Sequence, residues 1–240
     1  MNIAIIPARG GSKRVKRKNI INIAGKPLIS YSIKTALKSG VFDKVYVNSD
    51  DDEILSISLE YGAIPYKRPV DYAGDKIYII DVVKEMIESL EMNKDSSIGV
   101  LLATSPLRNT EDICGAYNLF KKKNKKHSIV SVTTYETPIQ LAQYKENDGC
   151  LKPVFSTEYS CSTRSTDHRE VYKYNESIIF NNISNILRQD NLIGVKPFPY
   201  FMPPERSILI DYPYQLEMIR LILEDRKKNI STIYNKRKGN

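Results

Sequence analysis

The chain has 240 residues, of which 41% are hydrophobic and 27% charged. These proportions are ordinary for a soluble globular protein, and the length suits one α/β domain with a substantial core. The net charge of +8 invites a nucleic-acid reading, but residues 1–42 carry nine Lys/Arg and no acid, residues 226–240 carry six and no acid, and the chain between them is net acidic. A nucleic-acid binder would spread a basic face across the fold. No apolar run reaches the roughly 18 residues needed to span a bilayer, and the opening MNIAIIPARGG reads as a strand and loop rather than a signal peptide. Three cysteines, Cys114, Cys150 and Cys161, with no CxxC spacing, argue against a disulfide framework and for a reducing compartment, so a cytoplasmic location is expected. His127 and His168 are too few and too isolated for a three-histidine zinc site.

Taken in order, Asn2 to Ile6 is a short apolar run ended by Pro7, a buried strand. A basic, Gly-rich loop occupies residues 7–18, and a helix is expected over Lys26–Lys38, with Pro27 in its first turn and Gly40 beyond its end. Lys44 to Asn48 reads as a strand, and Asp50, Asp51 and Asp52 favour a helix start because carboxylates suit a helix N-terminus. That helix runs to about Tyr61, and a third strand follows near Ile64. The spacing of Ile79, Val83, Met86, Ile87 and Leu90 predicts a helix, Ile98–Leu102 a strand, and Ile113, Ala116, Tyr117 and Phe120 a helix capped at Asn109 or Thr110. Ile129–Val132 is the next strand, residues 136–172 break the rhythm as an arm or insertion, and strands resume at Ser177–Phe180, Ile193–Val195 and Ser207–Ile210. Tyr214–Glu224 is the last expected helix, and residues 226–240 read as a basic, frayed tail. Residues 1–225 thus form a single α/β domain built on a doubly wound, mostly parallel sheet, in which ligands bind beyond the carboxyl ends of the strands.

The chemistry concentrates in IIPARGGSKRVKRKN, which begins where the first strand ends. Gly10 and Gly11 allow the backbone to turn and approach a ligand, and successive N–H groups in such a turn form a nest for anions. Arg9, Lys13, Arg14, Lys16, Arg17 and Lys18 surround it with no acid nearby in sequence, so a triphosphate is the natural ligand. The Walker loop and the GxGxxG fingerprint are both missing, so the site is of another type.

Four segments, IIPARGGSKRVKRKNI, KPLISYSIKTALKSGVFDKVYVNSD, ATSPLRNTEDI and MPPERSILID, resemble the CMP-acylneuraminate synthetase family, the cytidylyltransferases that activate sialic acid and related nine-carbon sugar acids. The resemblance runs from Ile3 to about Leu223. It implies a Rossmann-like nucleotidyltransferase fold with residues 136–172 as a dimerisation and sugar-binding arm, and a homodimer as the active form. It places Arg9, Gly10, Gly11, Ser12, Lys13, Lys18 and Asn19 at the CTP site, with Arg68 and Asp75 of KRPVDYAGD on its border. Arg9 and Lys18 would neutralise phosphate charge during transfer, and Asp211 would hold a Mg²⁺ cofactor, cap the last helix, or do both. The sugar half would use Leu102, Thr104, Gln140, Arg164, Lys173 and Asn175.

The departures from the family pattern lie in the metal and sugar positions. Leu209-Ile210-Asp211 stands where the family commonly has Asp-Ile-Asp, so one metal carboxylate is absent and its position is left to water, a substrate oxygen or Asp50. Leu102 stands at a glutamine position, Gln140 at a lysine of some members, and Lys173 at a frequent arginine, where a bidentate grip is lost. The expected reaction is attack of the sugar's anomeric hydroxyl on the α-phosphorus of CTP with release of pyrophosphate, the sugar being sialic acid or a modified relative such as legionaminate. The alternatives are 3-deoxy-octulosonate or another sugar as acceptor, a catalytically impaired homologue that binds without turnover, and a basic nucleic-acid module.

Overall fold

The computed structural model of the protein describes residues 1–155, 164 and 169–238. Its centre is a seven-stranded sheet. The strands are β1 (Asn2–Pro7), β4 (Lys44–Ser49), β5 (Ile64–Lys67), β6 (Ser97–Val100), β7 (Ile129–Thr134), β10 (Tyr172–Asn182) and β11 (Phe198–Phe201), in the spatial order β11-β7-β10-β6-β1-β4-β5. β10 is antiparallel to its neighbours β6 and β7, and the other pairings are parallel. The chain leaves β1 toward β4 and β5, then returns to β6 on the other side of β1, which creates a topological switch point beside β1.

Helices cover both faces: α1 (Leu28–Lys38), α2 (Asp52–Glu60), α3 (Ile79–Ser89), α4 (Thr110–Lys122), α5 (Ile183–Arg188) and α6 (Pro213–Lys238). The reason is visible in β1, whose alternate residues serve two cores. Ala4 and Ile6 pack with Ile29, Ile33 and Phe120 on one face, while Ile3 and Ile5 pack with Val83, Met86 and Ile186 on the other. A strand buried on both sides reads as an unbroken apolar run. Phe180 of β10 stacks on Phe42 at 5.6 Å and on Phe120 at 5.9 Å between ring centroids. Gly99 makes room for this cluster, since a Cβ there would meet Phe42 at 2.6 Å.

Several boundaries differ from the sequence expectation. The helix expected from Lys26 begins at Leu28, because Lys26–Pro27 pairs with Asn22–Ile23 as a small hairpin, β2 and β3. The strand expected to reach Leu102 ends at Val100, where the chain turns toward the site. Ile193–Val195 is a bend rather than a strand: the Asn191 side chain accepts from the N–H groups of Ile193 and Gly194, an Asx-type turn with Gly194 at φ 76°. Ser207–Ile210 is in no sheet. It is held by Thr104, whose carbonyl accepts from Ile210 N–H at 3.0 Å. β11 and α5 lacked a sequence signal, one being short with Pro199 at its centre and the other only six residues long. Within the arm, β8 (Gln143–Lys145) and β9 (Leu151–Pro153) form a separate two-stranded sheet. The backbone of α6 continues as helix through the segment expected to fray, as far as Lys238. Among the described residues no helix is long and apolar enough to cross a membrane.

Phe180→Ala removes the ring on which Phe42, Phe120 and Tyr117 pack. It is expected to cost about 3–5 kcal/mol in urea unfolding, and a loss below about 1 kcal/mol would show that this cluster does not organise the core.

Candidate active site

A cavity of about 450 Å³ lies at the switch point, bounded by Pro7 at the end of β1 and by Leu102, Ala103 and Thr104 beyond β6. The loop after β1 forms one wall with Arg9, Ser12, Lys13, Arg14, Lys18 and Asn19. Its shape is fixed from behind. Asp50 accepts from Gly10 N–H at 3.0 Å, and buried Asn19 donates its side-chain amide to Arg9 O at 2.9 Å. Gly10 is needed for close packing, since a Cβ would meet Asp51 Oδ2 at 2.7 Å, while Gly11 has open space around it. Neither glycine has a positive φ, and Gly10 N–H is taken by Asp50, so Gly10 also serves the packing of the loop.

Five of the six loop cations divide into three sets, each met by carboxylates from a different part of the chain. Arg9 Nη1 lies 2.8 Å from Asp75 Oδ1, and Lys13 Nζ lies 2.6 Å from Asp75 Oδ2. The Lys13 hydrogen bond, with Arg9 adding charge, holds the Asp75 carboxyl below the usual carboxylate range. Lys18, largely buried, donates to Ile210 O at 2.6 Å and to Asp211 Oδ1 at 3.3 Å, with Arg14 at 3.9 Å from the same oxygen. Arg17 turns out of the cavity to Asp51 and Glu53, at 3.0 and 2.5 Å. Asp51 also caps α2 by accepting from Ile54 N–H, so the helix-start reading of the acidic run is fulfilled at Asp51. Asp50 is not among the residues that line the cavity, and one of its carboxylate oxygens accepts from Gly10 N–H.

Arg68 enters the cavity from the opposite wall and is nearly buried. Its Nε donates to Asn48 Oδ1 at 2.6 Å and its Nη2 to Asn48 O at 3.0 Å. Burial pushes its guanidinium below the ordinary value; Asp50's charge opposes this and Arg9 adds to it. Ile77, Ile79 and Val82 supply an apolar wall that no motif marked.

The expected sugar residues do not all converge. Leu102 and Thr104 line the cavity. Gln140 is buried elsewhere, donating to Arg169 O at 3.1 Å, and Asn175 is buried with its amide on Ser207 Oγ at 2.8 Å. Lys173 pairs with Glu136 at 3.0 Å beside the Tyr135 ring, and Arg164 is exposed. None of these four lines the cavity. Glu176, unmarked by any motif, does. Partial desolvation at the cavity edge and the charge of Asp211 push its carboxyl up, and Lys18 opposes them. Arg108, of the SPLR run, is a buried brace. It donates to Ser177 O at 2.5 Å and Ser32 Oγ at 2.8 Å, and burial pushes it to about 10, still charged at neutral pH.

A doubly wound sheet with a cation-lined cavity at its switch point offers a place for an anionic ligand, and the likeness to known proteins gives the class as nucleotidyltransferase. The chain belongs to the cytidylyltransferase family, whose model matches residues 3–236. It is 35% identical over 224 residues to the pseudaminic acid cytidylyltransferase of Campylobacter jejuni subsp. jejuni serotype O:2, covering 92% of this chain and 95% of that one. It is 30% identical over 230 residues to the CMP-N,N'-diacetyllegionaminic acid synthase of Legionella pneumophila subsp. pneumophila, covering 92% and 96%. The solved CMP:2-keto-3-deoxy-manno-octonic acid synthetase complexed with CTP shares the fold at a TM-score of 0.70 and 16% identity, covering 94% of this chain and 99% of that one.

Asp75 competes with any anion for Arg9 and Lys13. Asp75→Asn is therefore expected to tighten inorganic tripolyphosphate binding about threefold in calorimetry at low salt, while Arg9→Ala weakens it. Unchanged binding in Asp75→Asn would show that these ion pairs do not restrain the loop.

Proposed function

We propose that this chain transfers the cytidylyl group of CTP to a nonulosonic acid, giving the CMP-sugar and pyrophosphate. The observation that carries the reading is the convergence of Arg9, Lys13, Lys18 and Arg68 on one cavity at the sheet's switch point. The activities named for the relatives supply the base and the acceptor class. The sugar's anomeric oxygen forms a bond to the α-phosphorus and loses its hydroxyl proton to solvent while the bond to the leaving pyrophosphate breaks. Negative charge on the phosphates then draws Arg9 and Lys13 away from Asp75, and Lys18, already anchored to Ile210 O, presents a fixed cation to the reacting phosphate. Preorganised charge of this kind contributes most in an enclosed site.

Magnesium fits the donor set. It is a hard cation that takes one or two carboxylates plus substrate phosphates, and Asp211 brings an accessible carboxylate to the cavity at the end of the Ser207–Asp211 segment. When bound, the ion would neutralise phosphate charge. Asp211 also lies at the head of α6, where its N–H donates to Gln215 Oε1 at 2.8 Å, so the backbone there is fixed by the helix start.

Arg164 and Lys173 lie away from the cavity of their own chain, which supports a homodimer in which the arm of one subunit completes the sugar pocket of the other, whereas Gln140 and Asn175 are buried within their own subunit. Leu102 gives the pocket an apolar face, which favours a modified nonulosonate over N-acetylneuraminate. In a pyrophosphate-release assay with CTP and Mg²⁺, pseudaminate or legionaminate is expected to exceed N-acetylneuraminate and 3-deoxy-octulosonate in kcat/KM. A strong preference for N-acetylneuraminate would overturn the sugar assignment, and no release with any of the four would overturn the reaction. Asp211→Asn is expected to lower kcat by roughly a hundredfold.

A further inference from the structure

Within the cytidylyl-transfer reading, on which this inference rests, the metal position has a deficit. Ile208 and Ile210 pack into the core against α6, Asp211 at the end of the segment lines the cavity, and Leu209, two residues before it, offers no oxygen. We infer that Glu176 supplies the missing carboxylate, so that a divalent cation arriving with the triphosphate is held between Glu176 of β10 and Asp211.

The local structure of β10 aims Glu176 at this position. The register of β10 on β7 shifts between Tyr174 and Ile179, and Glu176 sits inside that irregularity at φ 52°, left-handed backbone that a residue with a Cβ rarely adopts. Bulges of this kind re-aim a side chain next to a site, and such backbone persists where the surroundings over-determine it. Here both neighbours are buried and tied. Asn175 donates to Ser207 Oγ at 2.8 Å, at the start of the segment that ends in Asp211. Ser177 accepts from the Arg108 guanidinium and from Ser105. With Asn175 and Ser177 anchored inward, the Glu176 side chain between them is left to the cavity, which Lys18 and Asp211 also line. Lys18 offsets the repulsion between the two carboxylates until a cation arrives, and its hydrogen bond to Ile210 O keeps it beside them afterwards.

Carboxylates suit Mn²⁺ as well as Mg²⁺, so Mn²⁺ binding in the presence of CTP, read from the electron paramagnetic resonance signal of free Mn²⁺, tests the assignment without turnover. Glu176→Gln is expected to weaken Mn²⁺ about tenfold or more. Glu176→Gly is expected to weaken it equally while keeping or raising the melting temperature, because glycine accepts φ 52° without strain. Adding Leu209→Asp to Glu176→Gln is expected to restore binding by returning a carboxylate to the segment that ends in Asp211. Mn²⁺ affinity in Glu176→Gln within twofold of the wild type would overturn the assignment and leave cytidylyl transfer standing. A wild type whose Mn²⁺ binding depends on Glu176 but which releases no pyrophosphate with any nonulosonate would uphold the assignment and overturn the transfer reading.

Discussion

Six cations within the ten residues Arg9–Lys18 repel one another, and the fold has to answer that repulsion before it can offer the loop to a ligand. For five of the six it does so with carboxylates drawn from distant parts of the chain: Asp75 for Arg9 and Lys13, Asp211 for Arg14 and Lys18, Asp51 and Glu53 for Arg17. Surface ion pairs of this kind contribute little stability each. Their effect here is geometric, because each pair ties the loop to a different element and together they stretch it across the mouth of a cavity. The pair facing outward, Arg17 with the N-terminus of α2, is a scaffold. The pairs facing inward are ones a polyanion can exchange.

That division explains how a strongly basic loop stays ordered and still receives phosphate. Arg9 and Lys13 share one carboxylate on an exposed turn, a partner that a triphosphate with several charges outcompetes. Lys18 is held differently, with a backbone carbonyl as well as Asp211 as partner, so it keeps its place when charge arrives. Arg68 needs no partner exchange, since its bonds run to neutral Asn48. One cavity thus combines movable cations with fixed ones, which is a sensible arrangement for binding a nucleotide and then stabilising charge that grows during transfer.

The fold was largely legible because its parallel core writes itself as continuous apolar runs such as Ile3–Ile6, and because Asn109 and Asp112 form a full capping box at the start of α4. The basic loop was legible as a cluster, and Ser12, Lys13, Lys18, Asn19, Arg68, Asp75, Thr104 and Asp211 do meet around one cavity. What sequence could not supply was partnership across long separations. Asp50 looks like a free carboxylate at a strand end, yet it is held by Gly10 N–H. Glu176 looks like any strand residue, and only the irregularity of β10, anchored through Asn175 and Ser177, turns it into the cavity. Ser207–Ile210 has the composition of a strand but donates its Ile210 N–H to Thr104 O. In each case the deciding partner lies 30 or more residues away, where no spacing rule reaches.

The central claim is that the loop cations are released from their carboxylates to hold a triphosphate while Lys18 stays in place. A crystal structure with CTP and Mg²⁺ bound tests this most directly. The account predicts phosphate oxygens within hydrogen-bond distance of Arg9 and Lys13, Asp75 withdrawn from both, and Lys18 still bonded to Ile210 O. Phosphates bound outside the loop, with Arg9 and Lys13 still on Asp75, would contradict it.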